Sequence, residues 1–323
     1  MSVPNLEIKN EVLAAEDRIR PHIRTTPLEL SESLSKVAGC QVFLKEEHNQ
    51  LTGSFKVRGA LNKLLSLSDE QRAKGVVVAS TGNHGLAVAH GLKTLDMEGS
   101  IYLPENTPAN KIQLLKSQGV PLTLYGIDPL ETELKARHDS EANGKTYISP
   151  YNDPQVIGGQ GTIGVEILKQ VKDLDEIYIA VGGGGLISGI SGYLKNTRPE
   201  TNIVGCLPAN SPVMYECVKA GKIIDVPTSP TLSDATAGGL EAAAITFDIC
   251  KTYVDEWMMV SEAQIQSAMK LIYDHHGWVV EGAAGVPLAA LLNSGKSFTK
   301  DKKVALIICG SNVDQQKFYE LMD

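Results

Sequence analysis

The chain has 323 residues, 42% hydrophobic and 21% charged, the profile of a water-soluble globular protein with room for one large or two ordinary domains. A net charge of -8 at pH 7 without any Lys/Arg cluster argues against binding to nucleic acid or to an anionic membrane surface. The apolar runs are too short to span a bilayer, Met1-Ser2-Val3-Pro4 has no basic-then-apolar leader pattern, and five scattered cysteines (Cys40, Cys206, Cys217, Cys250, Cys309) read as reduced thiols of a cytoplasmic protein.

Apolar positions at Leu6, Val12, Leu13 and Ile19 predict a helix over residues 6–20, ended by Pro21. Residues 24–28 read as extended, 31–38 as a short helix and 41–45 as a strand. Next comes Gly53-Ser54-Phe55-Lys56-Val57-Arg58-Gly59-Ala60, read as a turn at Gly53, an N-cap at Ser54 and a helix running to about Leu67. From Gly75 onward strands (75–80, 100–103, 121–125, 145–148) alternate with helices (84–95, 110–117, 130–143), which predicts a small parallel sheet with helices on both faces. A second run follows, with a helix over 162–171, a strand over 176–181, a glycine run, a helix over 188–195, a strand over 202–207 and a helix over 212–220. Residues 221–245 read as a long loop and 257–260 as a strand. Ser261 and Gln264 form a capping box before a helical stripe of Ile265, Ala268, Met269, Ile272 and Tyr273. Residues 304–309 are almost wholly apolar, as expected for a strand at the centre of a parallel sheet. No internal repeat, low-complexity segment or appended regulatory module is expected.

Four segments carry chemistry. A lysine held against apolar surface loses hydration, which lowers its pKa and exposes the neutral amine that forms a Schiff base with a carbonyl. Lys56 fits that description, and a surface lysine near a helix end fits its octapeptide as well. Gly182-Gly183-Gly184-Gly185 lies between a strand and a helix. Its N–H groups can converge on one anion beside a helix N-terminus, a phosphate cradle without a cationic side chain; the alternative is a flexible turn. Ser80-Thr81-Gly82-Asn83-His84-Gly85 ends a strand and opens a helix, offering hydroxyls, an amide and free N–H groups to a carboxylate, unless it is an ordinary capped helix. Cys309-Gly310-Ser311-Asn312 ends the central strand and should face the same crevice, although a buried structural cysteine is the commoner use of a free thiol. Glu281 is either a surface acid or one buried near a cofactor. Gly159–Gly164 matches GxGxxG with no strand before it, and a tight helix start explains it equally well. Gly295-Lys296-Ser297 would need a glycine at Ala290 to complete a P-loop. His275 and His276 lack metal-ligand spacing and read as helix-end histidines.

Together these segments resemble the fold-type II family of pyridoxal-phosphate enzymes, and within it the serine/threonine dehydratase and serine racemase branch. The resemblance runs from about Ile19 to Asp314 and is closest to the threonine/serine dehydratase subgroup that includes hydroxyectoine-utilisation dehydratases. It implies that Phe55 and Lys56 belong to the cofactor-lysine motif. It implies further that Ser80, Thr81, Gly82, Asn83 and His84 bind the substrate carboxylate, with Asn83 also beside the cofactor's ring hydroxyl. Gly182, Gly183, Gly184, Gly185 and Leu186 would hold the cofactor phosphate, Cys309 would lie against the pyridine nitrogen, and Glu281 would border the cofactor. The implied fold is α/β with two parallel-sheet domains. A small mobile domain (73–148) is inserted into a large one (1–72 and 149–323), with pyridoxal 5'-phosphate in the cleft, in a homo-oligomer (dimer or tetramer).

The chain departs from the family's pattern in two respects. Thr81 stands where racemases usually carry the serine opposite the lysine. Leu207, Ser211 and Val213 replace the acids that hold a divalent cation in some relatives, so no metal site is expected. The implied activity is a lyase that converts a 3-hydroxy amino acid (L-serine, L-threonine or a relative such as 3-hydroxyaspartate) to a 2-oxo acid and ammonia, with Lys56 and Thr81 as catalytic groups. Racemisation or β-replacement, and a hydroxyectoine-pathway dehydratase, are the alternatives. Intact Lys56 and glycine run argue against a catalytically inactive binding protein.

Overall fold

The computed structural model describes residues 7–322; the predicted helix start at Leu6 and the leader reading at Met1–Pro4 fall outside them. Helix α1 (Ile8–Ile19) gives way to a 3-10 turn, Arg20–His22, where Pro21 has no N–H to continue the ladder. Strand β1 (Leu28–Leu30) begins where the expected extended stretch over 24–28 ends; helix α2 (Glu32–Ala38) and strand β2 (Gln41–Lys45) follow as predicted, α2 being capped by Ser31 and closed by Gly39 at φ 74°.

Helix α3 (Lys56–Ser66) starts at the lysine itself, and Gly53 makes the preceding turn at φ 71°. Ser54 does not cap it. Ser54 forms an antiparallel bridge to Gly310, and its buried hydroxyl has no partner. The segment is therefore held by main-chain pairing to the end of the central strand, with Phe55 N–H donating to Cys309 O at 3.1 Å. Helix α4 (Asp69–Lys74) was not expected. It is six residues long, wholly polar in its exposed turns and stabilised by a Ser68/Gln71 capping box, so it has no apolar stripe to read.

Strands β3 (Val76–Ala79), β4 (Gly99–Leu103), β5 (Leu122–Leu124) and β6 (Thr146–Tyr147) alternate with helices α5 (Asn83–Leu95), α6 (Ala109–Lys116) and α7 (Pro129–Ala142). The strands form a parallel sheet in the order β5-β4-β3-β6.

Helix α8 (Pro154–Gln170) begins at Pro154 rather than at residue 162, capped by Asp153, which accepts from Gln155 N–H at 2.8 Å. Its glycines hid the start, since each weakens a helix by about 1 kcal/mol. They are there for packing. A Cβ at Gly159 would lie 2.5 Å from Arg58 O, and one at Gly161 would lie 2.8 Å from Gly189 O. The GxGxxG match is thus neither a phosphate loop nor a helix start, but the interior of a close-packed helix.

The chain continues through β7 (Glu176–Ala180), α9 (Gly185–Lys195), β8 (Asn202–Pro208), α10 (Val213–Ala220), α11 (Ile245–Tyr253), β9 (Glu256–Val260), α12 (Glu262–His276), α13 (Gly282–Leu292), β10 (Lys303–Ile307) and α14 (Gln315–Met322). Of these α11, α13 and α14 were not expected. Helix α13 is buried along nearly its whole length and carries Pro287, so its sequence shows no polar face. The loop over 221–245 contains a 3-10 turn, Asp234–Thr236.

The second sheet has the order β1-β2-β10-β7-β8-β9, parallel except for β1. Strand β10 lies between β2 and β7, at the centre as its composition demands. Helix α3 serves the other core: Val57, Ala60, Leu61 and Leu64 pack with Val76, Val78 and Ile101 of the smaller sheet. Its N-terminal turn meanwhile bridges to Gly310 of the larger one, so Lys56 sits where the two sheets meet.

Candidate active site

The C-terminal ends of the parallel strands β3, β7 and β10 lead within two residues into Ser80, Gly182 and Cys309, and parallel sheets bind ligands beyond such ends. The residues predicted for the site line one cavity of about 360 Å³: Phe55 and Lys56; Ser80, Thr81, Gly82, Asn83 and His84; the four glycines with Leu186; and Glu281 with Cys309. Tyr151 and Lys111 join them without a signal in the sequence, because they arrive from separate elements through tertiary packing; residues 234–239 join from the stretch expected to be a long loop. Asn312 also lines the wall; its place just past a central strand was the available clue.

The Lys56 ammonium donates to Pro150 O at 2.9 Å. Burial lowers its pKa to about 8, against the opposing pull of Cys309 and Glu281, so a sizeable neutral fraction exists near physiological pH. The surface-lysine alternative does not hold.

The glycine loop is built from backbone. Gly184 alone of the four takes the left-handed conformation, at φ 86°. The others are glycine because of close approach: a Cβ on Gly182 would meet Thr236 Cα at 2.8 Å, and one on Gly183 the Tyr151 ring at 2.5 Å. Thr246 Oγ1 donates to Gly183 O at 2.7 Å and fixes the turn. Helix α9 starts at Gly185, and its first N–H groups have no acceptor within the helix. A dianionic phosphate fits this donor set and the helix dipole.

Helix α5 opens differently from an ordinary capped helix. Its N-cap is Gly82, no side chain accepts from its first turn, and the space where a Gly82 Cβ would stand is open. Ser80 Oγ accepts from Gly82 N–H at 3.3 Å. The free N–H groups suit a carboxylate. His84 is buried with Nε2 3.0 Å from Ile148 O, and its Nδ1 has no partner. Burial first, and Lys56 second, push its pKa down to about 3, so the imidazole is neutral. Nε2–H then donates to the carbonyl and Nδ1 is an acceptor.

Glu281 is buried, so it is not a surface acid. Burial raises its carboxyl pKa, while bonds from Asn83 Nδ2 (2.9 Å to each oxygen) and Asn312 N–H (2.7 Å) favour the anion. Asn312 Nδ2 also donates to Asn83 Oδ1 at 2.6 Å. Cys309 is 5% exposed, and burial pushes its thiol up, so it is a neutral group.

Behind the lysine, Arg58 is fully buried. It donates to Glu47 at 2.7 and 2.8 Å and to Glu166 at 2.8 and 3.0 Å; Lys45 Nζ adds a bond to Glu166 at 2.6 Å. This network ties α3 to α8 and to the segment after β2.

The remaining motifs lie elsewhere. His276 Nε2 meets Ser31 Oγ at 2.9 Å at the end of α12. Lys296 pairs with Glu176 and Glu256. Leu207, Ser211 and Val213 are buried, and among the described residues no three His, Cys, Asp or Glu side chains converge as metal ligands would. No helix among the described residues is long and apolar enough to cross a membrane.

A family profile described as pyridoxal-phosphate dependent enzyme matches residues 19–310. An L-threonine ammonia-lyase of Thermotoga maritima is 38% identical over 304 residues, covering 94% of this chain and 75% of the relative. A beta-hydroxyaspartate dehydratase of Paracoccus denitrificans is 36% identical over 322 residues, covering 98% of this chain and 99% of the relative. The structure of maize serine racemase superposes with a TM-score of 0.91 at 33% identity, covering 97% and 96% of the two chains. The chain belongs to the family of pyridoxal-phosphate dependent enzymes, and its cofactor is pyridoxal 5'-phosphate. Within that family it is a fold-type II lyase of the threonine ammonia-lyase and serine racemase branch.

Proposed function

We propose that the protein dehydrates a 3-hydroxy amino acid (L-serine, L-threonine or a relative such as 3-hydroxyaspartate) to a 2-oxo acid and ammonia. The observation that carries this reading is one cavity holding an enclosed amine at Lys56, the glycine loop and the uncapped start of α5. When bound, pyridoxal 5'-phosphate supplies a carbonyl for amines and a conjugated ring that takes up the charge left at Cα.

Lys56 would hold the cofactor through its amine and would serve as the base for the Cα proton; a pKa near 8 suits a base working near neutral pH. Gly182 to Gly185 and the first N–H groups of α9 hold the phosphate, with Leu186 closing the loop. The main chain and hydroxyls of Ser80 to Asn83 orient the substrate carboxylate, and His84 Nδ1 accepts a bond from a group in the cavity. Phe55 packs beside the amine, and Asn83, fixed by Glu281, addresses the ring hydroxyl. The α-proton and the β-hydroxyl leave as water, and hydrolysis of the resulting enamine releases ammonia and the 2-oxo acid.

The neutral Cys309 thiol would offer the pyridine nitrogen of a bound cofactor no carboxylate, an environment that would favour prompt loss of the β-hydroxyl over survival of charge at Cα. Racemisation needs that survival and a proton from Thr81 on the opposite face. The β-methyl of Thr81 restricts its hydroxyl rotamers. Racemase activity is therefore the runner-up, with β-replacement or a hydroxyectoine-pathway dehydration on the same scaffold behind it. We place the enzyme in the cytoplasm as a homo-oligomer, with residues 73–148 as a mobile domain inserted between 1–72 and 149–323.

The test is a panel of L-serine, L-threonine and 3-hydroxyaspartate isomers, scored together for 2-oxo acid, ammonia and D-amino acid. Lyase activity should exceed racemisation, and Thr81→Ala should reduce racemisation more than elimination. D-amino acid accumulating faster than 2-oxo acid would replace this reading with the runner-up.

A further inference from the structure

We propose that Lys111 binds a second, distal carboxylate on the substrate, so that the preferred 3-hydroxy amino acid is a dicarboxylic one. The inference rests on the dehydratase reading above and sharpens it.

Among the described residues the charged side chains lining the cavity are Lys56, Lys111, Asp234 and Glu281. Lys56 is occupied with the chemistry. Glu281 is saturated by Asn83 and Asn312. Lys111 and Asp234 remain, facing one another from opposite lips: Lys111 from the first turns of α6, Asp234 from the 3-10 turn between α10 and α11. Their closest approach is 4.0 Å, with side chains 41% and 72% exposed. An ion pair that long and that wet contributes little. Lys111 is therefore a cation at the cavity wall without a committed partner, free to exchange Asp234 for an incoming anion.

Its position suits the far end of a short diacid. Lys111 lines the same cavity as Asn83, which Glu281 bonds at the uncapped start of α5. The donors for the α-carboxylate and the Lys111 ammonium thus face one cavity. Asp234 meets Lys111 with its side chain 72% exposed, and a charge-assisted bond strengthens as water is removed, so a carboxylate carried into the cavity by the substrate is the stronger partner. Leu114, one turn further along α6, lines the same cavity and offers the competing arrangement, an apolar contact for a substrate methyl.

The experiment uses the holoenzyme. kcat/KM is measured for 3-hydroxyaspartate, L-serine and L-threonine with the wild type, Lys111→Met, Lys111→Arg, Asp234→Asn and Leu114→Ala. Succinate and butyrate are titrated as non-reacting probes through the absorbance of the bound cofactor. The ratio of kcat/KM for 3-hydroxyaspartate over L-serine should fall roughly 10- to 100-fold in Lys111→Met, as expected for one charge-assisted hydrogen bond. It should recover in part in Lys111→Arg and rise in Asp234→Asn, which removes a repulsive charge. The affinity ratio of succinate over butyrate should follow the same order. Unchanged ratios in Lys111→Met, with L-serine or L-threonine still dehydrated, would overturn this inference and leave the dehydratase reading standing. A wild-type preference for L-threonine that disappears in Leu114→Ala would overturn it too. If no amino acid on the panel is dehydrated, the broader reading fails, and the succinate series still decides the role of Lys111.

Discussion

The carboxylate of Glu281 accepts from the side-chain amide of Asn83 through both of its oxygens, at 2.9 Å each, although the two residues are 198 positions apart. Asn312 N–H completes the group at 2.7 Å. A carboxamide at position 281 would present one acceptor and two donors to partners that need only acceptors. Glu281→Gln should therefore leave a buried N–H unpaired, costing about 1–3 kcal/mol of stability and loosening the cofactor's ring-side contact. Urea denaturation with and without pyridoxal 5'-phosphate checks this. A variant matching the wild type in both states would show that the Asn83 orientation is set elsewhere.

Lys56 makes a pH-dependent contribution to the cofactor-free protein. Its pKa falls from 10.5 to about 8 on folding, so between these values the unfolded chain binds more protons and stability rises with pH. The penalty is complete below pH 8 and fades as pH approaches 10.5. Cofactor-free Lys56→Met should melt higher than the wild type at pH 7, with the gap closing toward pH 10. Borohydride reduction of the holoenzyme should fix the cofactor to Lys56 and to no other lysine. Equal melting temperatures at pH 7 would mean that the amine is better hydrated than its surroundings indicate.

The Arg58 network should behave as a buried ion cluster. Burial pushes the Glu166 carboxyl up, but Arg58 and Lys45 outweigh it and hold it at about 2, against 4.5 for a free side chain. A depressed carboxyl stabilises above its unfolded pKa and loses that contribution as pH falls from 4.5 toward 2. Arg58→Met strands Glu47, leaves Glu166 with only Lys45 and Arg20, and should cost about 3–5 kcal/mol at neutral pH. The deficit should shrink in acid, where a carboxyl group no longer needs a cationic partner. A loss independent of pH would point to packing rather than charge.

Metal dependence gives a simpler test. Hard cations need oxygen ligands, and the side chains of Leu207 and Val213 offer none. Treatment with EDTA should leave turnover and melting temperature unchanged. A loss restored by magnesium or calcium would locate a cation site at other residues.

The sequence by itself determined the parallel-sheet pattern, the central place of β10 and the cavity's principal walls, because each is written in a local signal. Alternating short apolar runs and helical stripes mark parallel strands and their crossovers. Glycines at a strand–helix junction and a lysine in an apolar turn keep their meaning wherever the chain goes. Tertiary structure decided what such signals cannot express. Helix α8 runs through glycines that look like breakers, because α3 and α9 cross it too closely for side chains, and α13 shows no period because it is buried on every side. Ser54 looked like a cap and instead pairs with Gly310. The pKa of Lys56, the burial of Glu281 and the facing of Lys111 and Asp234 depend on residues more than a hundred positions apart. Desolvation and Coulomb terms are fixed by distance in space, and a linear sequence does not record that distance until the sheets have docked.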